Sequence, residues 1–290
     1  MESESSARPF VSIITTVRNE EAHLRPLLDS LIPQEPPFEI VLVDGGSHDS
    51  TFAIAEEYER RYPGQIRALR RATSRGEGRN VGVAAAKGEL IAFIDGDCVA
   101  DPGWLGALRS GFSESPVSES PVVAGKTVPI VVSKFGELER VELYVAGSDV
   151  TYPSSNLGYR RSLFQKLGGF DPRFVTAEDI DLNLRAVRAG VTIRYVPEAV
   201  VFHRPRATWP TFVRQAFWNG YGRKQLTEKH GSLWERYRIE RLATDQHGYV
   251  ALVRLGAAMT GYLARVLTGG HERLGTLSSR SATGVGSDRI

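Results

Sequence analysis

At 290 residues the chain has room for one large domain, or for one domain with a small appendage. A hydrophobic content of 41% beside 24% charged residues excludes a disordered chain, and a formal net charge of +2 excludes a polycation, so no nucleic-acid partner is expected. The single cysteine, Cys98, excludes an internal disulfide and a cysteine-based zinc site, and it suits a reducing compartment.

Met1–Pro9 is polar and acidic, with neither a basic nor an apolar leader region; it reads as a flexible N-terminus without a secretory signal. Phe10–Thr16 is a β-branched run, read as a buried strand. A helix over Glu20–Leu31 is stopped by Pro33, and Phe38–Asp44 (FEIVLVD) is a second strand. Asp49 or Ser50 caps the next helix, whose Ile54, Tyr58 and Tyr62 recur every four residues. Gln65–Leu69 is a weaker strand, Gly78–Ala86 a small-residue helix, and Leu90–Asp95 (LIAFID) a fourth strand. This alternation predicts an α/β fold, a mostly parallel Rossmann-like sheet flanked by helices on both faces, with ligands at the carboxyl ends of its strands.

Beyond Pro102 the pattern is mixed. Val122–Val132 holds strand-like pieces broken by Gly125 and Pro129, and Phe135–Val145 reads as a helix. Glu178–Ala189 is an amphipathic helix ended by Gly190, followed by short strands at Ile193–Val196 and Ala199–His203. Helices over Thr208–Lys229, with Pro210 in its first turn, and Val250–Leu267 follow. Thr268–Ile290, rich in Gly, Ser and Thr, reads as disordered. The longest apolar stretch, Leu255–Ala264, lies between Arg254 and Arg265 and is shorter than the ~20 residues of a spanning helix.

Four segments carry chemistry. Asp95-Gly96-Asp97 directly follows a buried strand; two carboxylates there can hold Mg²⁺ or Mn²⁺ with a diphosphate, and Gly96 lets the backbone come close. Asp44, at the end of the second strand, can accept hydrogen bonds from a nucleobase or ribose, or simply precede a Gly-Gly turn. Ser74–Gly82 (SRGEGRNVG) is a glycine-rich basic segment in which Arg75 and Arg79 can balance phosphate or carboxylate charge. Glu178-Asp179 opens a helix, where the dipole favours an ionised carboxylate suited to act as a base; simple helix capping fits equally.

In this order VSIITTVRNEE, IVLVDGGSHDST, GRNVGVAAAKGELIAFIDGDC and SSNLGYRRSLFQKLGGFDPRFVTAEDIDLNLRAVRAG resemble the family 2 glycosyltransferases of the GT-A fold, over about Val11–His203. The resemblance implies a metal-dependent, inverting transfer of a sugar from a nucleoside-diphosphate sugar to a hydroxyl acceptor, with Mn²⁺ or Mg²⁺ as cofactor. It implies that Thr15, Val17 and Glu20 border the base, that Asp44 holds the base, that Arg79 braces the nucleotide pocket and that Asp95 contacts ribose. Asp97 would bind metal with His203, and Asp179 would be the catalytic base supported by Glu178. Gly45 stands where the family often has a second Asp.

The same reading divides the chain into a flexible start (1–9), a nucleotide-sugar-binding half (10–100), an acceptor-binding catalytic half (101–206), a helical C-terminal extension (207–268) and a disordered tail (269–290). Past His203 the extension interleaves basic and aromatic residues, among them Arg204, Arg214, Arg223, Trp209, Trp218 and Trp234. That mixture suits a lipid-linked phosphate acceptor or peripheral membrane contact through 204–267; it equally suits single-stranded nucleic acid, or aromatics packed on the core with charges in water. The expected acceptor is a glycan, a lipid-linked molecule or a small molecule, and the expected location is cytoplasmic, at the inner face of a membrane. The rival activities are a nucleotidyltransferase and a non-catalytic nucleotide-sugar-binding protein.

Overall fold

Apolar runs form strands buried on both faces, and the computed structural model, which describes residues 10–113, 121–130, 141–204, 208–233, 235 and 248–281, places three of them and a more exposed edge strand side by side. Strands β1 (Val11–Val17), β2 (Phe38–Asp44), β3 (Ile66–Arg70) and β4 (Leu90–Ile94) are parallel. Alternate residues serve opposite layers: Ile13, Ile40, Leu42 and Ala92 face one core, and Ile14, Val41, Ile91 and Phe93 the other. Helices α1 (Leu24–Leu31) and α2 (Thr51–Arg61) cover the first face, and α3 (Arg75–Ala85) covers the second. The sheet order β3-β2-β1-β4 therefore reverses between β1 and β4, and a crevice opens at the carboxyl ends of those two strands.

The second half completes an eight-stranded sheet, in the order β3-β2-β1-β4-β9-β6-β10-β5. Its members are β5 (Cys98–Ala100), β6 (Val122–Pro129), β9 (Asn156–Arg160) and β10 (Ile193–His203); β7 (Tyr144–Val145) and β8 (Ser148–Asp149) pair separately. Strand β9 runs antiparallel between β4 and β6, β6 and β10 are parallel to each other, and β5 runs antiparallel to β10, so this half of the sheet is mixed. The two short strands expected at Ile193–His203 are one strand with a register shift between Val196 and Val200, where Pro197 cannot donate to the ladder. Buried Asn156 holds that irregular stretch, donating to Lys126 O and Ala199 O while accepting from Trp104 of α4 (Trp104–Ser113).

The remaining helices are α5 (Arg161–Lys166), α6 (Glu178–Arg188), α7 (Trp209–His230) and α8 (Gly248–Ser281). The fully buried Asp181 of α6 accepts from Lys229 Nζ at 2.7 Å and His230 Nε2 at 2.7 Å, which ties the end of α7 to the domain. Two expectations change. Residues 269–281, read as disordered, continue α8 as helix. The helix expected over Phe135–Val145 lies largely outside the described residues, and its end, Tyr144–Val145, is strand. Trp234 also lies outside them.

Candidate active site

Three structural features converge on the crevice between β1 and β4. The first is a pair of stitched loops. Beyond β1, Asn19 adopts φ 56° and its side chain accepts from His48 N, while Asn19 N donates to Ser47 Oγ and Glu20 N to Thr51 Oγ1. Ser47 in turn donates through both its backbone N–H and its hydroxyl to Asp44. With Arg70 Nε at 3.4 Å and no side-chain exposure, the Asp44 carboxylate organises the loop from beneath. Ser47 and Arg70 fill part of its acceptor capacity.

The second feature is a buried arginine strap. Glycines let α3 lie close to the sheet: a Cβ on Gly82 would stand 2.5 Å from Ile14 Cγ2. Arg79, 1% exposed, projects from this helix under the ring of Phe170. It donates to Asp95 Oδ1 at 2.6 Å and to Glu178 Oε1 at 2.8 Å. Burial pulls against its charge, but Asp95, Glu178 and Asp179 more than compensate and hold the guanidinium protonated. Asp95, at the end of β4, and Glu178, opening α6, are thereby brought to one spot, and Gly96 leaves no room for a side chain against Val17. Arg75, at the start of α3, is exposed.

Arg79→Met would leave two facing carboxylates without their counter-ion, a loss of about 3–5 kcal/mol by the measure of broken buried pairs. A matching fall in the urea midpoint is expected, part of which Arg79→Met with Glu178→Gln recovers.

The third feature is the ligand-bearing rim. Antiparallel pairing sets His203 of β10 opposite Cys98 of β5, and His203 Nε2 comes to 3.3 Å from Asp97 Oδ2. One ligand atom each from Asp97, Cys98 and His203 lies within 4.8 Å of the others. An oxygen and an imidazole nitrogen, each on a part-exposed side chain, fit a hard or borderline divalent ion such as Mn²⁺. Cys98 is a member that sequence reasoning passed over, although it directly follows the Asp95-Gly96-Asp97 motif. Burial, with Asp95 and Asp97 adding to it, drives its thiol far above the ordinary range. Glu20 belongs to the same region: burial raises its carboxyl against the bond from His23, and the charges of Asp97 and Asp95 raise it further.

Asp179 and Glu178 separate in role. Glu178 is buried and committed to Arg79. Asp179 is half-buried and accepts from Ser154 N at 3.2 Å and from Ile180 N at 2.8 Å. Burial, followed by the charge of Glu178, pushes its carboxyl up to about 6. The helix-dipole argument for a firmly ionised carboxylate thus loses to desolvation and like charge. Thr15, buried in β1, leaves its hydroxyl oxygen without a hydrogen-bond partner, and Val17 ends the strand beside Gly96.

Residues 12–168 match the family model described as Glycosyl transferase family 2, more than half of the chain. The chain belongs to glycosyltransferase family 2. Residues 147–222 also match Glycosyltransferase like family 2. This family 2 glycosyltransferase is 30% identical over 229 residues to the "Pre-mycofactocin glycosyltransferase" of Mycobacterium tuberculosis, covering 72% of this chain and 46% of that protein. It is 27% identical over 258 residues to the "Probable glycosyltransferase YdaM" of Bacillus subtilis, covering 82% and 60%. The chain thus spans under two thirds of the length of either relative.

Among solved structures, the mannosyltransferase PcManGT from Pyrobaculum calidifontis, in complex with GDP-Man and Mn²⁺, superposes with a TM-score of 0.63 at 17% identity, covering 96% of this chain and 81% of that one. S. aureus TarS in complex with UDP-GlcNAc gives 0.56 at 22% identity, covering 71% and 64%. These likenesses establish the GT-A fold of this family 2 enzyme.

Proposed function

We propose that this glycosyltransferase carries out a metal-dependent, inverting transfer of a sugar from a nucleoside-diphosphate donor to an acceptor hydroxyl. The observation that carries this reading is the Arg79 strap, because it holds the donor-side Asp95 and the helix bearing Asp179 around one crevice. Asp97 and His203 are the residues that would hold Mn²⁺ or Mg²⁺. When bound, such an ion supplies a positive charge that stabilises the departing diphosphate. Two solved relatives of the fold, bound to GDP-Man with Mn²⁺ and to UDP-GlcNAc, support a nucleotide-sugar donor.

Thr15, Val17 and Glu20 border the base on the β1 side, and Asp95 contacts the ribose. Asp44 holds the base. On the acceptor side, Asp179 takes the proton of the attacking hydroxyl while the Ser154 and Ile180 N–H groups hold its carboxylate in place. Glu178 supports it from behind through Arg79. Attack from the face opposite the diphosphate, through an oxocarbenium-like state, inverts the anomeric centre. We assign the acceptor to the lipid-linked or glycan class and the site of action to the cytoplasmic face of a membrane. "Glucosyl-dolichyl phosphate glucuronosyltransferase" of Haloferax volcanii, 28% identical over 174 residues, supports the lipid-linked option.

The test is product analysis with a panel of nucleotide sugars and Mn²⁺. Release of nucleoside diphosphate with transfer of the sugar in inverted configuration is expected. Pyrophosphate release would identify a nucleotidyltransferase instead, and binding without turnover would identify a donor-binding protein.

A further inference from the structure

Asp179 reaches the crevice at the end of a segment that is neither helix nor strand. Residues 170–178 form a hoop whose two feet stand on α3. At one foot the Phe170 N–H donates to Asn80 Oδ1 at 2.9 Å, and its carbonyl accepts from Asn80 Nδ2 at 2.7 Å. At the other foot Glu178 meets Arg79. Just before Glu178, Ala177 is held at φ 64°, in the left-handed region that a residue with a Cβ seldom enters. Such a conformation persists only where the surroundings over-determine it.

Helix α7 supplies those surroundings. Gly222, Gln225 and Lys229 share one face of it, and they meet the hoop in reverse order. A Cβ on Gly222 would stand 2.6 Å from Thr176 Cγ2 and 2.8 Å from Thr176 O, so a glycine is what lets the helix lie this close. One turn on, the buried amide of Gln225 accepts from Val175 N at 3.2 Å and donates to Arg173 O at 2.8 Å. It gives the hoop backbone the donor and acceptor that a neighbouring strand would otherwise provide. A further turn on, Lys229 Nζ bonds Asp171 at 2.8 Å and the buried Asp181 of α6 at 2.7 Å. The helix is thus a template for the hoop and for the first turn of α6 together.

We infer that Gly222 and Gln225 are positioning residues for Asp179, because they fix the path of the hoop and so the point at which α6 begins. The inference rests on the reading of Asp179 as the base. Asp179 lies two residues beyond Ala177, and backbone N–H groups of Ser154 and Ile180 hold it. A shift of the hoop therefore moves its carboxylate relative to the acceptor hydroxyl. A displacement of about 1 Å at a reacting group can cost about a hundredfold in rate. The donor side is carried by β1, β4 and α3, which this face of α7 does not hold, so donor binding stays where it is.

Gln225→Met tests the inference, since it keeps the length and approximate volume of the side chain and removes both bonds. With acceptor saturating, kcat for transfer should fall about ten- to a hundredfold, while the donor KM stays within about twofold. Amide hydrogen exchange, which needs no turnover, should quicken over residues 175–181 and stay parental over β4. Phe38→Leu is the control: it loosens the opposite core layer at the amino end of β2, away from the crevice. It should lower Tm and leave kcat parental in assays run well below that Tm. Parental kcat or parental exchange in Gln225→Met would overturn the inference, and so would a loss of kcat that Phe38→Leu reproduces. If Gln225→Met does not fold, Gly222→Ala takes its place, judged by the same two readouts. Full transfer by Asp179→Asn would remove the base reading and the positioning with it. Loss of transfer in Asp179→Asn beside parental kcat in Gln225→Met would remove the positioning alone.

Discussion

Asp179→Asn is expected to lower sugar transfer by about two to four orders of magnitude, the range contributed by a positioned general base. Donor affinity should hardly change, because Asp179 sits on the α6 side of the crevice and is held by Ser154 and Ile180. Steady-state rates together with donor titration by calorimetry separate the two effects. Undiminished transfer would dismiss the assignment. The raised carboxyl also sets a pH profile. With its midpoint near 6, kcat/KM should fall about tenfold per unit on the acid side of that value, and the Asn variant should lack this limb.

Stability should move the opposite way. The folded-state midpoint lies above the ordinary 3.8, so ionising Asp179 opposes folding. The penalty is complete above about pH 6 and vanishes as pH falls toward ordinary carboxylate values. The Tm difference, Asn variant minus parent, should therefore be more positive at pH 7.5 than at pH 4.

The second large effect is expected at the rim. Asp97→Ala should abolish measurable transfer, and EDTA should do the same to the parent, with recovery on adding Mn²⁺. Loss of several kcal/mol of charge stabilisation corresponds to roughly a hundred- to thousandfold in rate. His203→Ala should fall short of that, because the anionic donor, Asp97, remains. Calorimetric titration of Mn²⁺ in the presence of nucleoside diphosphate gives a readout independent of turnover: affinity should drop in both variants, and more in Asp97→Ala. Unchanged Mn²⁺ affinity in both would remove Asp97 and His203 from the metal site.

How much of this was legible depends on what each side chain faces. Strands β1, β2 and β4 were readable because burial on both faces leaves apolar runs such as FEIVLVD, whereas the more exposed β3 gave a weaker signal. Strand β9, NLGYR, was missed because only Leu157 and Tyr159 enter a core. Asn156 serves a hydrogen-bond network, and Gly158 makes room for Phe112. Helix α4 was missed although Trp104, Leu105, Leu108 and Phe112 have helical spacing and are all buried. Strand β10 was split because Pro197 reads as a stop, and the long-range ladder to β6 resumes beyond it.

In the site, motif order singled out Asp95, Asp97, Asp179, Arg79 and His203. It did not reveal that Glu178 turns inward to Arg79, that Ser47 occupies Asp44, or that Cys98 lies beside Asp97 and His203. Those facts depend on side-chain direction, which spacing along the chain does not carry. Over Gly248–Thr268, α8 is long and apolar enough to cross a membrane, longer than the ten-residue stretch read from the sequence. Arg265 read as a charge closing an apolar stretch, and packing turns it toward Glu228 and Tyr221 of α7.

The Arg79 strap limits how such an enzyme can be re-engineered. A chimera joining the nucleotide half of this chain to a foreign acceptor half would inherit a buried guanidinium whose second partner comes from the discarded piece. Unless the graft brings a carboxylate to the first residue of the incoming helix, the hybrid carries an orphaned cation in its interior. Donor and acceptor specificity can therefore be recombined by exchanging loops around the crevice, but a seam between the halves needs this one electrostatic joint rebuilt on both sides.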